Sequence, residues 1–94
     1  SVYSFANIVK SNLSSRRKVN PDYLIVGMCL DGNCIVLKID SNEIGYVAFE
    51  EIGDEGRWDN YYVKVSDSLG EYIHDMNFLG ILPGDYYQAR EMGY

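Results

Sequence analysis

The chain has 94 residues, enough for one small domain and too few for a second core. Hydrophobic residues make up 47% and aromatic residues 14% of it, with nine tyrosines, which excludes a disordered segment and supplies one packed pair of layers. A net charge of -6 disfavours nucleic-acid binding, and no apolar run nears the roughly 18 to 20 residues of a membrane span, so a soluble cytoplasmic protein without nucleic-acid or membrane contacts is expected.

Taken in order, Ser4 can cap a first helix in which Phe5, Ile8 and Val9 share a side, extended by Leu13. The stretch SSRRKVNP ends it, because the residue before Pro21 is driven to extended geometry. Tyr23 to Leu30 reads as a strand buried on both faces, and Asp31-Gly32 as a two-residue hairpin turn. A return strand from Cys34 to Asp40 sets Ile35, Leu37 and Ile39 against Val36 and Lys38. After a turn at 41–43, a third strand from Gly45 to Glu50 alternates Tyr46 and Ala48 with Val47 and Phe49, and 51–60 reads as an exposed loop.

In the fourth strand Tyr61, Val63 and Val65 alternate with Tyr62 and Lys64, and after Ser66 the period turns helical. Leu69, Tyr72, Ile73 and Met76 share one helix face. Ser68 to Glu71 fits a capping box, and Gly80 a helix stop. The tail holds a Pro-Gly turn and a short helix from about Asp85. The expected fold is a single α+β domain over 1–94, an antiparallel meander of four or more strands with helices packed mainly on one face.

This order of features resembles the SUKH superfamily, whose bacterial members are often immunity proteins of polymorphic toxin systems and whose fungal members regulate cell-wall synthesis. The resemblance rests on the YSFANIVKSN helix, the DYLIVGMCLDGNCIVLKID hairpin at the family's IG-x-x-G strand, the GYVAFEE strand, and VKVSDSLGEYI at its va-x-SF-x-eFl position. It runs from about Tyr3 to Phe78. Leu69 stands where the family usually has phenylalanine, and Asn33 where a glycine often follows the hairpin turn. The helices that usually precede the position of Tyr3, with their proline and Asn-Gly-Gly, have no counterpart, as in a trimmed fragment or a shortened relative. The sheet face they would cover then needs another cover, such as the tail from Ile81 or a second copy in a homodimer.

Charge is distributed unevenly. Residues 1–20 hold Lys10, Arg16, Arg17 and Lys18 and no acid, whereas 40–59 hold seven acids against Arg57. Glu50, Glu51, Asp54, Glu55, Trp58 and Asp59 form the candidate partner surface, because an aromatic inside a charged rim is the usual anatomy of an interface hot spot. The alternative is that Trp58 packs inward and the acids only solubilise. The resemblance implies a non-catalytic immunity protein that covers the active site of a basic toxin domain, for example a nuclease. A regulatory or scaffolding module is the other reading, and a toxin gene beside this one separates the two.

Other chemistry is thin. Cys29 and Cys34 would face each other across a two-residue turn, close to disulfide reach, although buried thiols suit a cytoplasmic strand pair. Two cysteines and one distant histidine make a poor zinc site, so neither metal nor cofactor is expected. His74 beside Asp75 could serve as a general base, but no nucleophile motif accompanies it and a solvated helix position explains it. The Arg16, Arg17 and Lys18 cluster reads as a solvated loop. No enzymatic activity is expected.

Overall fold

The computed structural model describes residues 2–13, 20–29, 33–53 and 56–94, apart from the side chains of Phe5 and Leu13. Its frame is a four-stranded antiparallel sheet in the order β1-β2-β3-β4, with β1 Tyr23–Met28, β2 Cys34–Lys38, β3 Ile44–Val47 and β4 Tyr62–Ser66. Sequential strands lie side by side because each is joined to the next by a short connection or a compact helical detour. Helix α1 covers Phe5–Leu13, α2 Phe49–Ile52, α3 Leu69–His74 and α4 Tyr86–Glu91. Among the described residues no helix is long and apolar enough to cross a membrane.

The alternation in the strands places two cores on the two faces of the sheet. On the first face Val26, Ile35, Ile44, Tyr46, Val63 and Val65 pack with Tyr72 of α3, Tyr86 and Ala89 of α4, and Ile8 of α1. The second face carries Tyr23, Ile25, Cys34, Val36, Val47 and Trp58, backed by Tyr3, Phe49, Ile52 and Tyr62. Three helices thus lie on one face, while α2 and a 3₁₀ turn over Trp58–Tyr61 close the other. The tail from Leu82 is the cover on the first face: the Tyr46 hydroxyl donates to the Pro83 carbonyl at 2.6 Å, and Ala89 is wholly buried.

Local signals set the helix ends. Ser68 Oγ accepts from the Glu71 amide at 3.1 Å and Asp85 Oδ1 from the Gln88 amide at 2.8 Å, each satisfying an amide that the first helical turn leaves without a carbonyl. Gly80 stops the third helix in the left-handed region, φ 61°. Between α3 and Gly80 the chain widens into a π-helical turn, Asp75–Leu79. The stripe expected for this helix is buried only in part: Tyr72 is buried and Leu69 half-buried, but Ile73 within α3 and Met76 in the wider turn are each 41% exposed.

Three expectations are corrected. The third strand ends at Val47, because Phe49 starts a helical turn, so Glu50 and Glu51 are helical rather than at a strand end. The residues up to Asn60 are therefore not all loop. Cys34 pairs with Met28, not Cys29: the register shifts between Ile25 and Gly27, and the Cys29 amide donates to the Asn33 carbonyl at 2.7 Å. One extra residue in a strand turns every later side chain over. Cys29 therefore joins the first-face core and Cys34 the second, and both are buried thiols with the sheet between them rather than a disulfide. The Asp31-Gly32 turn and the Arg16, Arg17, Lys18 cluster lie outside the described residues.

Candidate functional site: carboxylates held by tyrosine hydroxyls

The second face of the sheet carries a row of aromatic rings. Trp58 meets Phe49 edge-on at 4.6 Å and stacks on Tyr23 at 5.4 Å, and Tyr23 lies 5.3 Å from Tyr62. Such contacts between large rings add roughly 0.5 to 1.5 kcal/mol each beyond simple burial. Trp58 is only 6% exposed, so the structure places it as the inward anchor of the acidic segment and not as an exposed hot spot. The physical reason is that Tyr23 and Phe49 offer the indole aromatic partners beneath the 3₁₀ turn that closes this face of the sheet.

Acids hang from the polar tips of tyrosines. The Tyr23 hydroxyl donates to Asp59 Oδ1 and the Tyr62 hydroxyl to Glu43 Oε2, the latter at 2.7 Å. From the other side of the sheet Tyr87 of α4 places its hydroxyl 2.8 Å from Glu51 Oε1 and 3.1 Å from Glu50 Oε1. One proton can serve only one of those two carboxylates at a time, so the pair keeps unused acceptor capacity on an exposed surface. The bond to Glu51, followed by loss of solvent, holds the Tyr87 hydroxyl above its ordinary pKa of 10.0. Burial, then the bond to Asp59, does the same for Tyr23, and burial, then the bond to Glu43, for Tyr62.

No family model, curated protein or solved structure matches the chain. Its site therefore rests on its own geometry. Beside Trp58 and Asp59 lies a cleft of about 400 Å³, lined also by Asn20, Pro21, Asp22, Gly56 and Arg57. Of the sequence-derived surface residues, Glu50, Glu51 and Asp59 are exposed, Trp58 is buried beneath them, and Asp54 and Glu55 lie outside the described residues. Tyr23, Tyr62 and Tyr87 were not singled out from the sequence, although nine tyrosines in 94 residues is a compositional signal for them. His74 is exposed, with Nδ1 3.1 Å from Asp75 Oδ1 and its ring 5.1 Å from Phe78.

Glu43 gives this surface a pH signature. Burial works against its charge, but the hydroxyls of Tyr62 and Ser41, with Lys64 and Lys38, outweigh burial and hold its carboxyl below the ordinary 4.5. A lowered folded-state pKa stabilises fully above the unfolded value and is lost as pH falls through the folded one. The stability difference between the native chain and Glu43→Gln is therefore expected to shrink between about pH 6 and about pH 3 in urea titrations. A difference that stays constant over that window would contradict the assignment.

Proposed function

We propose that this chain is a non-catalytic protein-binding domain of the SUKH kind, an immunity protein that neutralises a cognate bacterial toxin by covering its basic active site. The observation that carries this reading is the Tyr87 hydroxyl lying between Glu50 and Glu51, which holds one or the other of two adjacent, exposed carboxylates to a helix packed in the core. Fixed charges complement a cationic partner at little ordering cost on binding. Asp59, tied to the buried Tyr23, extends the same negative surface. A nuclease or other toxin that attracts phosphate must be positive where it works, so a preorganised anionic surface suits both speed of encounter and occlusion.

Two measurements test the proposal. A toxin gene is expected beside this one, and co-expression of the chain with that toxin is expected to restore growth; a neighbourhood without a toxin gene, or toxicity unchanged by the chain, would refute the immunity reading. Neutralising Glu50, Glu51, Asp54 and Glu55 together to their amides is expected to slow association with the toxin domain by about 10- to 100-fold at low salt, and to flatten its salt dependence. Unchanged association would remove this surface from the interface.

A further inference from the structure

The two edges of the sheet are finished differently. At the β1 edge Val2 bridges Gly27, and the Tyr3 amide donates to the Val26 carbonyl at 2.7 Å. Asn12 completes the closure. Its side-chain amide accepts from the Ile25 N–H at 2.9 Å and donates to the Ile25 carbonyl at 2.9 Å, imitating the two bonds of a neighbouring strand. No further strand can add there without displacing these groups.

The β4 edge has no such cover among the described residues. The Ala48 amide donates to the Tyr61 carbonyl at 3.1 Å, so the backbone groups of Tyr61 and Val63 face β3. By the strand's period of two, those of Tyr62 and Lys64 face outwards. Beside this edge runs a groove of about 340 Å³ lined by residues 64–67, by Glu71 and Asp75, and by Tyr94. No residue of β3 lines it, which puts it on the outer side of β4. Lys64, the cation that would deter a basic visitor, is drawn onto Asp67 at 2.6 Å, and Glu71 and Asp75 add two further carboxylates.

We propose that the outer edge of β4 is a docking site for an extended basic segment of a partner protein, which adds to the sheet as a fifth strand. The main-chain groups of Tyr62 and Lys64 supply affinity, as in other additions to a sheet edge, and the acid-lined groove selects alternate Lys or Arg side chains. A second copy of this chain is the poorer occupant, because pairing β4 with itself would bring two acid-lined grooves together. The site is separate from the Glu50, Glu51 and Asp59 surface and does not depend on the partner being a toxin.

The probe is a nine-residue peptide of alternating Val and Lys, with one analogue carrying Glu for Lys and another N-methylated on alternate amides. Added to the intact chain, the Val-Lys peptide is expected to slow amide exchange at Tyr62 and Lys64 by about tenfold or more. The double variant Asp67→Asn, Glu71→Gln is expected to weaken its binding about tenfold while leaving the thermal midpoint of the peptide-free chain nearly unchanged. The N-methylated peptide should not bind. Protection confined to other amides, equal binding of the Glu or N-methylated peptide, or a peptide-free dimer that already protects Tyr62 and Lys64 would each overturn the proposal.

Discussion

Tyr46→Ala is expected to destabilise the domain by about 4 kcal/mol, the cost of removing a fully enclosed aromatic side chain. Tyr46 is 0% exposed and meets Tyr72 edge-on at 6.1 Å. Its hydroxyl donates to the Pro83 carbonyl at 2.6 Å, and since a carbonyl cannot return a proton, the 2.8 Å contact with Tyr72 has Tyr72 as donor. One side chain thereby ties β3 to α3 and to the tail. Tyr46→Phe keeps the ring but strands the Tyr72 hydroxyl and the Pro83 carbonyl, at about 1 to 3 kcal/mol. In a domain of this size, with a total stability of roughly 5 to 15 kcal/mol, the alanine variant should be substantially unfolded near body temperature and the phenylalanine variant folded. Urea midpoints at constant slope measure both. A phenylalanine variant as unstable as the alanine one would show that the hydroxyl network, not the ring's packing, holds the tail.

Gly45→Ala is the second large effect, at about 3 kcal/mol, or a fall of roughly 15 °C in thermal midpoint. Gly45 sits on the second face of the sheet, opposite Lys64 in the register. A Cβ there would overlap the Tyr62 ring and the Val63 carbonyl. A ring can swing aside, but the Val63 carbonyl belongs to the β3–β4 ladder and cannot move without opening it. The substitution also reaches the site. Displacing Tyr62 removes a hydrogen bond from Glu43, so the Glu43 carboxyl should titrate nearer its ordinary 4.5 in Gly45→Ala. A midpoint within a few degrees of the native chain, with Glu43 unmoved, would contradict this account.

These effects separate what neighbours in sequence dictate from what distant partners dictate. The meander, the alternation of Ile35 with Val36, of Tyr46 with Val47 and of Val63 and Val65 with Tyr62, the cap at Ser68, the short helix from about Asp85 and the stop at Gly80 were legible, because strand alternation and helix capping depend on residues only two to four positions apart. The acidity of 40–59 was legible for the same reason. The site itself was only half legible. The acids were visible, but their supports were not: Tyr23 reaches Asp59 across 36 positions, and Tyr87 reaches Glu51 across 36 and Glu50 across 37.

By itself, then, the sequence determined an acidic α+β domain whose strands follow one another across a single sheet. Tertiary structure decided which way Trp58 turns, because a bulky ring at the start of a 3₁₀ turn can face either solvent or core, and only the presence of Tyr23 and Phe49 below it makes the core the better place. It decided that Cys29 and Cys34 never meet, because one bulged residue near Val26 reverses the strand's faces without leaving a mark in the hydrophobic pattern of a stretch buried on both sides. It also decided which sheet edge is closed, because Asn12 becomes a substitute strand only once α1 has packed beside β1.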